Sequence, residues 1–312
     1  MIRRKLKSTL FLIKALRHAE VWISIRKWQH FLRLAQNRQK RLGSLPRFRG
    51  SKGINDMIAF SAIFHLDAEM SPYTDKLKVR DFIAKTIGTR FLSEISQIAD
   101  RVEDLDLEKA VGCFIKTNHD SGGHFQLKDI SQQEEAKEKI HKHMRNKDYG
   151  RQKGEFMYHS IIPKVYVERP FLARADQSTL KVWRIFFHYG KNILIQVNEC
   201  SSMPDLTHIY SPSFAPITRY YSHNRGDALI ESEKLLPITS HITEEGLRQM
   251  IALGEKCTAD FHFCRFDAFE TTEGIKFSEL TFMPISGCFN EELSDILGRE
   301  MMQHAPNFFK IP

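Results

Sequence analysis

The chain has 312 residues, 42% of them hydrophobic and 27% charged, with a formal charge of +8. These values exclude a disordered chain and allow one large domain or two lobes around a sizeable core. The apolar runs at 9–13 and 21–25 fall well short of the ~20 residues that span a bilayer, and none leads into a secretory cleavage site. The five cysteines are odd in number and never spaced C-x-x-C. That argues against a disulfide framework or a structural zinc site and points to a reducing compartment, the cytoplasm.

Residues 1–50 carry fourteen Lys or Arg against a single acid, Glu20, so the basic balance belongs to them alone. Residues 3–40 contain neither Pro nor Gly and predict a helix in which Phe11, Trp22, Trp28, Phe31 and Leu34 mix with the charges. An amphipathic helix of this kind docks its aromatics on the body of the protein, or lies on an anionic membrane surface, which here is the inner face. Nucleic acid is not expected as a partner, because no recognition motif accompanies the charge.

Residues 43–53 read as a basic linker and 54–66 as a partly buried helix. A further helix is predicted from an N-cap at Thr74 to Ile87, stopped by Gly88. Strands follow at 112–117 and 124–128 around a loop at 118–123, then a charged helix at 132–145. Strands are predicted at 164–172 and, as a pair around Tyr189-Gly190, at 181–198. Residues 200–240 show no clear period, and so long an irregular segment in a compact domain is usually functional or mobile. A helix capped by Thr243 runs to Ala259, strands occupy 262–270 and 275–283, and a last helix covers 291–303. Antiparallel strand pairs with interleaved helices describe an α+β fold. The Rossmann, P-loop, zincin and nucleophile-elbow signatures are absent from the sequence.

Two segments carry chemistry. In the hairpin 264–281, a three-residue loop Thr272-Glu273-Gly274 would pair Thr271 with Ile275. It would set Asp267 opposite Glu279, and Arg265 opposite Thr281. Opposed side chains lie ~5 Å apart on one face, and two carboxylates that close call for a cation between them. Magnesium, which takes oxygen ligands and phosphates, suits the position. A surface hairpin with an acidic stripe is the plain alternative, but Phe263, Phe266, Phe277, Leu280 and Phe282 place this hairpin in a core. The second segment, 114–123, is an apolar strand that delivers Lys116 into a loop with Gly122 and Gly123. Glycines there let backbone N–H groups approach phosphate oxygens.

Five motifs in order resemble a known family. Asp75-Lys76 with Val79-Arg80 is similar to its opening motif, and Lys116-Thr117-Asn118-His119-Asp120-Ser121-Gly122 to its K-x-N-H-G-S-G loop. Val167-Glu168-Arg169-Pro170-Phe171-Leu172 is similar to its adenine-holding strand, and Trp183-Arg184 through Gly190-Lys191 to a strand with a basic residue. Arg265-Phe266-Asp267 with 277–284 resembles its R-x-D and G-E-L-T-F-T-P motifs. The family is the TupA-like ATP-grasp group, named for teichuronopeptide synthesis. Asp120 and Ser278 stand in place of glycines, and Arg184 in place of lysine. The resemblance implies an α+β ATP-grasp fold: residues 1–50 a basic helical segment and linker, 51–110 an N-terminal subdomain, 111–175 a small lobe with the phosphate loop, 176–312 a large lobe with the metal site. It implies ATP and Mg2+ as cofactors, with Lys76, Lys116, Asn118, Ser121, Gly122, Glu168 and Phe171 around the nucleotide. Asp267, Glu279 and Thr281 would hold the metal, and Arg184 and Arg265 would act on an acylphosphate. The expected activity joins a carboxylate to an amine in surface polysaccharide or envelope synthesis, with small-molecule or saccharide substrates. An accessory protein with a degenerate site is the alternative.

Overall fold

In a computed structural model, residues 28–48, 50, 53–66, 68–146, 149–173, 179–199, 205–222, 228–229 and 235–310 are described. The expected helix at 3–40 therefore lies largely outside the described residues. Its described part is helix α1, Trp28–Leu42. Phe31, Leu34, Ala35 and Arg38 of α1 are buried, at the i, i+3, i+4, i+7 spacing of one helix face. Residues after α1 pack more closely than a free linker, because Leu45 and Phe48 join the core.

Helix α2, Ile54–Phe64, is buried almost all round, down to Asn55 and Ser61. The single helix expected at 75–87 is two: a one-turn α3, Ser71–Thr74, and α4, Val79–Thr86. Thr74 is the last residue of α3 rather than a cap. Asp75 between the two accepts hydrogen bonds from the Leu77 and Lys78 backbone N–H groups, the local competition with helix geometry that Asp favours. Gly88 ends the segment at φ 111, as expected of a glycine there.

Two antiparallel sheets follow. The smaller has the order β1-β4-β2-β3, from β1 Ile95–Ala99, β2 Phe114–Thr117, β3 His124–Gln126 and β4 Val165–Glu168. Helix α5, Gln133–Met144, covers it with Ala136 and Ile140, and a short α6 spans Tyr149–Lys153. β1 precedes residue 110 yet belongs to the same sheet as β2 to β4, whereas α2 joins the core of the larger sheet.

The larger sheet has the order β11-β10-β5-β6-β7-β8-β9. Its strands are β5 Lys181–His188, β6 Lys191–Glu199, β7 Asp205–Tyr210, β8 Pro216–Ser222, β9 Ala228–Leu229, β10 Cys264–Thr271 and β11 Gly274–Thr281. The turn between β5 and β6 puts Tyr189 and Gly190 at φ 46 and 72, as a two-residue hairpin requires. Within the segment without a sequence period, residues 205–210, 216–222 and 228–229 are thus ordinary sheet. Helix α7, Glu244–Thr258, begins at Thr243, whose Oγ1 accepts from the Gly246 N–H. It packs across β5, β6 and β10. Helix α8, Glu291–His304, packs on α2 and β6.

Candidate active site

The β10–β11 hairpin sets the candidate metal residues. Its turn is one residue shorter than expected: Thr271 pairs with Gly274, and a bulge at Ser278 follows. The two one-residue departures cancel, so Asp267 faces Glu279 and Arg265 faces Thr281. The bulge also changes the phase of β11. Phe277 and Leu280 both point into the core, while Glu279 and Thr281 are partly exposed.

A protein cation already lies between the two acids. Arg265 Nε and Nη2 donate to Asp267 Oδ1 and Oδ2 at 2.6 and 2.5 Å. Nη2 also lies 3.5 Å from Glu279 Oε1 and 3.2 Å from Thr281 Oγ1. The Thr281 hydroxyl donates to Glu279 Oε1 at 3.0 Å. Arg184, opposite Asp267 on β5, brings its Nε to 3.7 Å from Asp267 Oδ2. Arg265 thus offsets one of the two carboxylate charges, with Lys76 acting on Glu279 and Arg184 near Asp267, so protein cations share the role expected of a metal. The donor set still fits magnesium. It is all oxygen, it lies on one face, and Glu279 is 39% exposed at its open side.

Burial pushes the Asp267 carboxyl up to about 6, with Arg265 pulling it down and Glu279 adding to the rise. Burial also raises Glu279, but Lys76 and Arg265 outweigh it and hold that group below its usual value. The same exchange is felt by Lys76, whose pKa burial lowers against the pull of Glu279 and Asp120. Lys76, just before α4, therefore sits within electrostatic reach of both the hairpin and the loop at 118–123.

That loop is tied down at several points. The Lys76 backbone N–H donates to the Asn118 carbonyl at 3.2 Å, and its ammonium donates to the Asp120 carbonyl. The Asn118 amide is fully engaged: Nδ2 donates to Asp75 Oδ1 and to the Ile162 carbonyl, and Oδ1 accepts from the Lys164 N–H. The structure thus makes Asn118 a buried strut of the loop. Ser121 and Gly122 are exposed at its tip. Asp120, an awkward charge beside a phosphate, is buried against the Thr117 hydroxyl and the His143 ring. Gly123 allows this packing: a Cβ there would fall 1.9 Å from Thr117 Oγ1 and 2.4 Å from Asp120 Oδ1.

Lys116 and Glu168, diagonal across β2 and β4, form an ion pair. Ser93 donates to Glu168 and is held in turn by Arg80, at 3.1 Å to its hydroxyl and 2.5 Å to its carbonyl. Neither Ser93 nor the positioning role of Arg80 was evident from the sequence. After β4 the chain crosses to the hairpin: Phe171 packs on Phe269 with ring centroids 5.1 Å apart, and the Thr272 N–H donates to the Leu172 carbonyl. A small crevice of about 40 Å³ opens there, where the segments before β1 and after β4 meet the β10–β11 hairpin, lined by Ser93, Arg169, Phe171, Thr271 and Lys276 among others. Thr271 lies four residues along β10 from Asp267, roughly 13 Å at the usual strand rise.

The model of the TupA-like ATP-grasp family matches residues 63–302. The chain belongs to the TupA-like ATP-grasp family. Its fold is accordingly the α+β ATP-grasp fold. Similar solved structures include the ATP-grasp ligase PsnB with a minimal precursor (10% identity, 76% of this chain and 62% of that one, TM-score 0.37). They also include D-alanine–D-alanine ligase from Bacillus anthracis (13% identity, 76% and 68%, TM-score 0.36). A third is N5-carboxyaminoimidazole synthase from Aspergillus clavatus with ADP and 5-aminoimidazole ribonucleotide (10% identity, 78% and 53%, TM-score 0.41). The chain spans about three fifths of the length of PsnB. No curated protein sequence matches it. Among the described residues, no helix is long and apolar enough to cross a membrane.

Proposed function

We propose that this TupA-like ATP-grasp protein is an ATP- and Mg2+-dependent carboxylate–amine ligase of bacterial surface polysaccharide or envelope synthesis. The observation that carries the reading is the opposed pair Asp267 and Glu279, gathered with Thr281, Arg265 and Arg184 on one sheet face within reach of Lys76. In this reading Asp267, Glu279 and Thr281 hold magnesium, which would neutralise phosphate charge. Lys76, Lys116 and the exposed Ser121-Gly122 tip bind phosphates, while Glu168 and Phe171 border the base and ribose. A substrate carboxylate attacks the γ-phosphorus, the bond to ADP breaks, and an acylphosphate forms. An amine then displaces phosphate and loses a proton. Arg184 and Arg265 balance charge on the transferring group, so the chain contributes position and electrostatics.

The test is ADP release by purified protein against a panel of amino acids and uronic sugars, each with and without an amine acceptor. Release that needs both partners and yields an amide supports the reading. No release with any pair, despite tight Mg·ATP binding, would contradict the ligase activity. The basic segment 1–50 would hold the protein at an anionic inner membrane face. That predicts co-sedimentation with anionic but not zwitterionic vesicles, lost at high salt; equal behaviour with both would sink it.

A further inference from the structure

We propose a second metal site, separate from the nucleotide centre, in which Glu199, His208 and His241 bind a zinc ion. Glu199 ends β6, His208 lies in β7, and His241 follows the short helical turn Ile238–Ser240 that leads into α7. One ligand atom from each lies within 4.8 Å of the others. Glu199 Oε1 stands 3.8 Å from His208 Nε2 and 3.6 Å from His241 Nδ1. These separations are too long for hydrogen bonds. They are close to the ~3.4 Å between donors of a tetrahedral zinc with bonds of about 2.0–2.1 Å.

Two features of the geometry support an ion there. His208 is 3% exposed and its Nε2, the atom turned to Glu199, has no hydrogen-bond partner. A buried ring nitrogen in that state is costly unless something coordinates it. The segment bearing His241 is already placed by a neighbour, because the Tyr210 hydroxyl donates to the Leu236 carbonyl at 3.1 Å. Two imidazoles and a carboxylate are a zinc donor set with a fourth position left for water or another ligand.

The site is distinct from the candidate active site. Val197 pairs with His208, whereas Gln196 pairs with Arg184, which pairs with Asp267. Because strand side chains alternate, Glu199 and His208 project from the opposite face of the sheet to Asp267. An ion here would pin the start of α7 to the middle of the large sheet.

Untagged protein loaded with zinc chloride, desalted and assayed by plasma mass spectrometry should retain about one zinc per chain. The cobalt form should show the visible absorption of a tetrahedral site. In His208→Gln and in His241→Gln the affinity should fall by more than the ~10–100-fold that loss of an outer-shell partner costs. Zinc should raise Tm in the parent protein and not in the variants. Parent protein that keeps no zinc, cobalt protein without tetrahedral absorption, or zinc kept equally by both variants would each overturn the site. The first two readouts use only the parent protein, so they decide the matter even if a variant fails to fold.

Discussion

Asp267 is the residue whose protonation matters most. A carboxyl raised in the folded state stabilises the fold while protonated, below its ordinary value, and loses that contribution as pH rises toward about 6. Its use as a magnesium ligand has the opposite sign, since only the ionised form coordinates. At pH 5 about one Asp267 in ten is ionised, so Mg·ATP should bind about 10-fold more weakly than at pH 7.5. Titration calorimetry at the two pH values checks this, and a flat profile would remove Asp267 from the metal site. Glu279, held low by Lys76 and Arg265, should stay ionised through that window. The R-x-D spacing put Arg265 and Asp267 on one strand face, and that much was legible in the sequence. That Arg265 bridges both acids was not, because strand pairing places residues opposite one another without saying where a long guanidinium side chain turns. Asn118 was hidden for the same reason: its partners Asp75 and Ile162 are more than forty residues away.

At the scale of elements, the loop after β2 works by close packing around Gly123. Gly123→Ala would push a methyl into Thr117 and Asp120 and displace Ser121 and Gly122. Misplacement on the order of 1 Å can cost about 10²-fold in turnover. We expect a loss of that size in ADP release, with Tm changed by only a few degrees. Unchanged turnover would show that the loop does not position phosphate. The elements were unevenly legible. The strands β2, β5 and β6 and the helices α5, α7 and α8 announce themselves through apolar period and caps. β7 does not, because Thr207, His208, Ile209 and Tyr210 are all buried and leave no in-out alternation. The hairpin register was right at Asp267 only because the shorter turn and the Ser278 bulge compensate each other. No local spacing could have joined Glu199, His208 and His241, which meet only once β6, β7 and the start of α7 are assembled.

At the scale of the whole molecule, the segments flanking the small sheet meet the β10–β11 hairpin of the larger one at the crevice, and α1 packs into the larger sheet's core. Arg38 of α1 is 4% exposed and pairs with Asp56 of α2. Asp56→Ala would strand that guanidinium, at a cost of about 3 kcal/mol, softened by its contacts with Ser44 and Glu291. A fall in Tm of several degrees by calorimetry is expected, and no change would show that α1 is held by its apolar face alone. The central claim is that residues from both sheets meet one nucleotide, with Asp267 and Glu279 holding its magnesium. Isothermal calorimetry of ATP with and without magnesium, on the parent protein and on Glu279→Gln, tests it most directly. The account predicts tight binding that needs magnesium and weakens by about 10²-fold or more in the variant; ATP bound equally by both proteins, or indifferent to magnesium, would contradict it.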